Sequence, residues 1–144
     1  MTRMETPPRS YSRFESVMTV RPDDIDMHQH VHSSRYQDYV LAARYDQMAR
    51  CYGVSMEEFI ALGLGWFVNT SHIEYKRPLL MGDQFRVRTW VESFADKVVR
   101  IGFEILREPS GKISCHGWCD YTLVNLTTSR ATEIPAWIVE KYSV

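Results

Sequence analysis

Hydrophobic and polar residues alternate along most of the chain from Trp66 onward. Alternation with a period of two places every second side chain on the same face, as in a strand with one buried face. Turn-forming residues divide this stretch into four predicted strands, at residues 66–76, 84–94, 98–107 and 113–126. Because the connections are short, we expect neighbouring strands to be antiparallel.

The first half of the chain predicts one more strand and a long helix. Residues 14–20 are apolar enough for a strand, which Pro22 and the acids after it would end. After a loop, Ser33 or Ser34 is a suitable N-cap because its hydroxyl can accept a hydrogen bond from a free amide of the first turn. The helix is predicted to run to about Cys51.

Two apolar stripes run along this helix with spacings of three or four residues. They consist of Tyr36, Tyr39, Val40 and Ala43 and of Leu41, Tyr45, Met48 and Tyr52. Together they cover a broad surface, so we expect the helix to be enclosed on several sides. Ser55, three residues before Glu58, predicts a short second helix, and residues 134–142 predict a last helical turn.

These elements predict an α+β fold with a five-stranded antiparallel sheet wrapped around one long helix. A sheet of five strands has one apolar face to cover, and only this helix is long enough to cover it. The length of 144 residues fits one domain, which we place at residues 13–144 after a loose N-terminal tail at residues 1–12.

Composition and charge exclude several classes of protein. Hydrophobic residues make up 44% and charged residues 24% of the chain, as in ordinary globular proteins. The net charge is -1, with 17 basic and 18 acidic residues spread along the chain, so no nucleic-acid partner is expected. No apolar run of membrane-spanning length and no secretory signal is visible, so we expect no membrane association and a cytoplasmic location. The three cysteines are expected to be reduced and packed.

The loop before the long helix carries the candidate chemistry. Asp23, Asp24 and Asp26 lie just before the helix start, where unpaired amides hold partial positive charge. Such amides can stabilise an oxyanion while a nearby carboxylate attacks or activates water, a combination that suits acyl transfer. The alternative is that these acids only cap the helix and solvate the loop, and local spacing does not decide between the two interpretations.

His28, His30 and His32 alternate in the same loop and could share one face of an extended segment, like metal ligands. No fourth ligand has a recognisable spacing, so we predict no metal site. The sequence also contains no nucleophile elbow, P-loop or dinucleotide-binding fingerprint. We therefore expect no cofactor.

Matching positions across residues 14–140 identify a family resemblance. They are Asp24-Ile25-Asp26, His30-Val31, Tyr36, Ala43-Arg44, Tyr75, Pro78, Gly82-Asp83 and Ile134-Pro135. In this register the chain resembles the 4-hydroxybenzoyl-CoA thioesterase family of hotdog-fold proteins. The resemblance implies a hotdog fold and an acyl-CoA thioesterase that releases a free carboxylic acid and CoA.

The resemblance also implies roles for individual residues. Asp26 matches the catalytic carboxylate, which would either attack the thioester carbonyl or deprotonate water, while the amide of Ser33 polarises the carbonyl oxygen. The implied substrate contacts are His30, Val31, His32, Tyr36, Lys76 and Arg77, with the two basic residues as candidates for the CoA phosphates. Leu41 replaces a Glu that many family members carry on this helix, so a helix carboxylate is not expected to act here.

The resemblance further implies a homodimer or homotetramer in which two sheets join edge to edge and acyl-CoA lies at the interface. Gln29 replaces the family's glycine, and His32 and Ser33 replace its asparagine pair, so substrate choice is expected to differ. Two alternatives remain open. One is a thioesterase for acyl carrier protein, and the other is a non-catalytic acyl-CoA-binding hotdog module.

Overall fold

The computed structural model describes residues 11–144, so residues 1–10 of the predicted N-terminal tail lie outside the described residues. The elements follow in the order β1 (Phe14–Thr19), α1 (Arg35–Arg50), α2 (Met56–Ala61), β2 (Leu64–Tyr75), β3 (Gln84–Phe94), β4 (Val98–Arg107), β5 (Ile113–Asn125), β6 (Arg130–Ala131) and α3 (Ala136–Tyr142). A single 3-10 turn, Pro22–Asp24, precedes α1. This turn and the two-residue β6 were not predicted because neither is long enough to show a period.

The five long strands form one antiparallel sheet in the order β1-β3-β4-β5-β2, and β6 pairs with the end of β5. The register places buried side chains of the central strands side by side, for example Val87 opposite Ile105 and Ile105 opposite Cys115. Strands β1 and β2 therefore form the two edges of the sheet. This arrangement agrees with the predicted five strands.

The core lies between α1 and the inner face of the sheet. The first predicted stripe of α1 is buried, since Tyr36, Tyr39, Val40 and Ala43 are at most 8% exposed. The expectation that the helix is enclosed on several sides is wrong for part of the second stripe. Leu41 is 48% and Tyr45 is 49% exposed, because no described layer covers the outer face of α1.

A polar group also lies in this core. Gln47 is fully buried, and its side-chain nitrogen donates to the Ser16 hydroxyl at 3.0 Å and to the Val87 carbonyl at 3.4 Å. The Thr89 hydroxyl donates to the Gln47 side-chain oxygen. These bonds satisfy the buried amide and join α1 to β1 and β3, which fixes the helix along the sheet.

The three cysteines are free thiols, as expected. Cys115 and Cys119 are fully buried on the inner face of β5, and burial raises the pKa of Cys115 to about 12. Neither thiol is therefore a ready nucleophile. Within residues 11–144, no helix is both long and apolar enough to cross a membrane.

Candidate active site

An open groove of about 460 Å³ lies at the N-terminal end of α1. It is lined by Asp26, His30, Val31, His32, Ser33, Tyr36, Tyr75, Lys76, Arg77 and Pro78. All eight site residues predicted from the sequence are in this set, and the structure adds Tyr75 and Pro78. These two already belong to the positions that carry the family resemblance, which was the available signal for them.

A tight turn positions the loop on the floor of the groove. Ile25 and Val31 form an antiparallel bridge, and the Asp26 amide donates to the His30 carbonyl at 2.8 Å. Gln29 closes the turn with a φ of 62°, in the left-handed region that favours glycine. The turn therefore keeps a conformation that glycine would adopt more easily, at a cost on the order of 1 kcal/mol.

Asp26 presents a carboxylate with one oxygen held and one available. Its Oδ1 accepts hydrogen bonds from the amides of His28 at 2.8 Å and His30 at 3.2 Å. The His28 amide is the main cause that lowers the pKa of Asp26 below its ordinary value of 3.8, so the group is ionised at neutral pH. Among the described residues, both amides bind Oδ1, which leaves Oδ2 for a substrate or water.

The amides at the start of α1 differ in how they are paired. The Arg35 amide donates to the His32 carbonyl at 2.8 Å, and the Ser34 amide donates to His32 Nδ1 at 3.3 Å. Among residues 11–144 the Ser33 amide has no acceptor. Ser34 stands at the N-cap position, but neither predicted serine caps the helix, because the Ser34 hydroxyl instead bonds His32 Nδ1 at 2.9 Å.

Val31 and Tyr36 form the buried wall of the groove. The Val31 amide donates to the Leu79 carbonyl at 2.8 Å, and the Leu79 amide donates to the Tyr36 hydroxyl at 3.0 Å. Burial raises the pKa of Tyr36, so the hydroxyl stays protonated. Tyr75 packs edge-on against Tyr36 at 5.4 Å, and its hydroxyl donates to the Ser33 carbonyl at 3.3 Å. These contacts hold the loop against the end of β2.

Lys76 and Arg77 lie on the exposed rim of the groove. Lys76 Nζ is 3.6 Å from a Glu74 oxygen, and Arg77 Nη1 donates to the Ile113 carbonyl at 3.0 Å. Both side chains are solvent-exposed, and such rim contacts are weak enough to be exchanged for a ligand phosphate.

The other two acids of the loop do not line the groove. Asp24 is 6% exposed and accepts hydrogen bonds from the Tyr39 hydroxyl at 2.7 Å and the Arg21 amide at 3.1 Å. Asp23 pairs with the Arg21 guanidinium at 3.1 Å. Asp24 therefore fixes the loop to α1, and Asp26 is the one of the three acids that faces the groove.

The three alternating histidines do not share one face, because the chain turns between them. His30 and His32 line the groove, and His28 does not. In the part of the chain that the structure describes, no group of three or more His, Cys, Asp or Glu side chains is arranged to hold a metal ion.

Comparison with known proteins gives consistent matches. Residues 20–142 match the family model of the thioesterase-like superfamily. The long-chain acyl-CoA thioesterase FadM of Escherichia coli K12 is 23% identical over 127 residues, which cover 88% of this chain and 95% of that protein.

Two solved structures from Staphylococcus aureus share the fold. One is a DHNA-CoA thioesterase, with a TM-score of 0.83, 21% identity and coverage of 91% of this chain and 89% of that chain. The other is the protein SAV2348 in complex with CoA, with a TM-score of 0.81, 20% identity and coverage of 94% and 85%. The predicted hotdog fold is confirmed.

Proposed function

Since the chain belongs to the thioesterase-like superfamily, which confirms the prediction of a thioester hydrolase, we propose that it hydrolyses acyl-CoA with Asp26 as the catalytic carboxylate. One observation carries this proposal. Asp26 lines the same groove as Ser33, with one carboxylate oxygen and one amide left without partners among the described residues. Nucleophile and carbonyl-polarising donor are the two groups that acyl transfer needs.

The reaction begins with the thioester carbonyl between these two groups. The Ser33 amide donates to the carbonyl oxygen and stabilises the charge that develops on it. Asp26 Oδ2 either attacks the carbonyl carbon, which expels the CoA thiolate and forms a mixed anhydride that water hydrolyses, or removes a proton from a water that attacks the carbon and expels the thiolate. In both routes the thiolate takes up a proton and leaves as CoA. The lowered pKa of Asp26 keeps its carboxyl group ionised at neutral pH, which is the form that either route requires.

The rim and wall of the groove suit the two ends of acyl-CoA. Lys76 and Arg77 offer cations to the CoA phosphates, with His30 and His32 beside the thioester. Val31 and Tyr36 give the acyl group an apolar wall. Among the structural neighbours, SAV2348 was solved in complex with CoA, which supports a CoA substrate.

The sheet edge supports a homodimer or a dimer of dimers. Strand β2 lies at an edge and exposes Phe67 at 54% and Val68 at 48%. A long edge strand with exposed apolar residues favours pairing with a second copy. Sedimentation that shows only monomer at micromolar concentration would count against this assembly.

A panel of acyl-CoA esters with colorimetric detection of the released thiol tests the function. Asp26→Asn keeps the shape of the side chain and removes its charge, so we expect turnover to fall on the order of a hundredfold to ten-thousandfold while substrate still binds. Asp23→Asn is the matched control, because Asp23 lies in the same loop outside the groove, and it should retain nearly wild-type turnover.

Two results would overturn the proposal. Asp26→Asn with nearly wild-type turnover would exclude the proposed carboxylate. Binding of acyl-CoA without hydrolysis by the wild-type protein would identify a non-catalytic module. Faster hydrolysis of the same acyl group from acyl carrier protein than from CoA would reassign the substrate and keep the chemistry.

A further inference from the structure

A second, smaller cavity lies between α1, α2 and the inner face of the sheet. Arg44 and Tyr121 line it together with the apolar side chains of Leu41, Met48, Met56 and Trp66. It shares no lining residue with the groove around Asp26. Arg44 also lies nine positions after Arg35, about 14 Å along the helix axis. Within one protomer this cavity is therefore separate from the groove around Asp26.

Arg44 brings a positive charge into the core without a counter-ion. It is 5% exposed, and its Nη1 has no hydrogen-bond partner among residues 11–144. No Asp or Glu side chain in that part of the chain forms an ion pair with Arg44. The rings of Tyr52 and Tyr142, 5.2 and 5.7 Å from the guanidinium, compensate only in part. A buried charge of this kind is unfavourable unless an anion joins it.

Two buried hydroxyl groups near Arg44 also have no partner among the described residues. They belong to Tyr52, which is 4% exposed, and to Tyr121, which is 6% exposed and lines the cavity. Burial raises the pKa of both groups, so both hydroxyls keep their protons and can donate. Tyr52 lies beside the guanidinium and does not line the cavity, so Arg44 and Tyr121 are the two unpaired donors on its wall. Unpaired donors at the wall of an apolar cavity are typical of a site for an acceptor group.

We propose that this cavity binds the carboxylate of an aliphatic acid. Its volume is about 30 Å³, and because a water-sized group needs roughly 10 to 15 Å³, it holds two such groups, like the two oxygens of a carboxylate. Arg44 matches a carboxylate in charge and in its planar set of donors. The hydrocarbon part of the acid lies towards the mouth of the cavity, against exposed Leu41 and the adaptable side chain of Met56.

Calorimetric titration of the whole protein with octanoate and with 1-octanol tests the charge requirement. We expect octanoate to bind at least about tenfold more tightly than the alcohol, because only the acid can pair with the guanidinium. Equal affinity for the two ligands, or no binding of octanoate, would overturn the proposal. This measurement does not require hydrolysis, so it remains informative if the proposed function fails.

Substitutions in the cavity test whether octanoate binds there. Arg44→Met removes the charge and should weaken octanoate binding at least about tenfold. Tyr121→Phe should weaken it by roughly threefold to tenfold without lowering the melting temperature of the free protein, since the hydroxyl has no partner to lose. Tyr45→Phe is the control, because Tyr45 is an exposed tyrosine of α1 outside the cavity, and it should leave binding unchanged.

If Arg44→Met does not fold, Tyr121→Phe decides the question. Wild-type octanoate affinity in Tyr121→Phe would then overturn the site. Reduced affinity in Tyr121→Phe with an unchanged melting temperature would support it, because a purely structural role would change stability first.

The carboxylate has two possible sources, a free acid or the far end of an acyl chain that carries a second carboxylate. Comparing kcat/KM for suberoyl-CoA and octanoyl-CoA separates them and rests on the proposed function. A preference for suberoyl-CoA that Tyr121→Phe removes would assign the site to the substrate. Equal kcat/KM values together with octanoate binding would assign it to a free acid, and both results support a carboxylate site.

Discussion

The loop between β1 and α1 adjoins the core layer between α1 and the sheet, but the two regions differ in how their polar groups are hydrogen-bonded. In the layer, the buried amide of Gln47 is bonded to Ser16, Val87 and Thr89. In the loop, Asp26 Oδ2 and the Ser33 amide have no partners among the described residues. Paired groups stabilise the fold, whereas unpaired groups in an open groove remain available to a ligand.

The same contrast between fully bonded and available polar groups is seen within the loop, at Asp24 and Asp26. Asp24 is buried and accepts from Tyr39, as a group of the layer would. Asp26 lies in the groove and is held through one oxygen only. Substitutions in the two regions should therefore separate stability from activity.

The largest effect on stability is expected in the layer, from Phe103→Ala. Phe103 is fully buried on β4, so removing its ring leaves a cavity and should lower the free energy of unfolding by about 3 to 5 kcal/mol. Denaturant unfolding measures this, with Val17→Ala as the control, since Val17 is 69% exposed and should change stability by less than about 0.5 kcal/mol. A loss below about 1.5 kcal/mol for Phe103→Ala would show that the layer is loosely packed.

Asp24→Asn should lower stability by about 1 to 3 kcal/mol, because the Tyr39 hydroxyl and the Arg21 amide lose a charged acceptor. Turnover per folded molecule should change much less than in Asp26→Asn. Thermal unfolding and turnover, measured on the same preparation, check the expected loss of stability and the expected small change in turnover. If Asp24 proves more sensitive in turnover than Asp26, the assignment of the catalytic carboxylate is wrong.

The strands could be predicted from the sequence where one face is buried and the other is not. Strands β3 and β4 occupy the predicted residues 84–94 and 98–107, since alternation continues to their ends. Strand β2 begins two residues earlier than predicted, because Gly65 pairs with Val124 although glycine is typical of a break. Its pairing with β5, a partner distant in sequence, overrides this local preference.

The outer face of α1 could not be predicted from the pattern. Leu41 and Tyr45 have the same spacing as the buried Met48 and Tyr52, and only the arrangement of the sheet leaves the first two exposed. A single helix shows which residues are apolar, but it does not show how many of its sides the rest of the chain covers.

The sequence predicted which residues belong to the candidate site, but it did not predict which atoms they contact. The family resemblance predicted Asp26 and the Ser33 amide as partners. The bond from Tyr75 to the Ser33 carbonyl and the unpaired charge of Arg44 depend on residues far apart in sequence. The pattern of residues along one chain does not show which side chains from distant segments come within bonding distance.

A smaller effect is expected in the titration of Asp26. Because amide hydrogen bonds and the nearby His28 and His30 lower its pKa, the carboxyl group should titrate below 3.8 in the folded protein. Its contribution to stability is present above the pKa of the unfolded chain and is lost as the pH falls through the folded pKa. Carbon NMR of the side-chain carboxyl measures the midpoint, and a midpoint above 3.8 would contradict the observed hydrogen bonds.

The smallest effect is expected from Gln29→Gly, which tests whether the turn under Asp26 is strained. The left-handed conformation costs a non-glycine residue on the order of 1 to 2 kcal/mol, whereas glycine loses roughly 0.5 to 1 kcal/mol in conformational entropy on folding. The two effects nearly cancel, so chemical unfolding should show a gain of less than about 1 kcal/mol. Turnover should stay within about threefold, because the amides that hold Asp26 belong to His28 and His30.

Gln29→Val is the control with the opposite expected effect, because a β-branched residue tolerates a positive φ poorly. It should destabilise the turn, and it should reduce turnover because the His30 amide that holds Asp26 is displaced. If Gln29→Gly instead changes turnover more than about tenfold, the strain argument does not account for it. The Gln29 side chain would then itself contact the substrate, and turnover would depend on this side chain as well as on the backbone conformation of the loop.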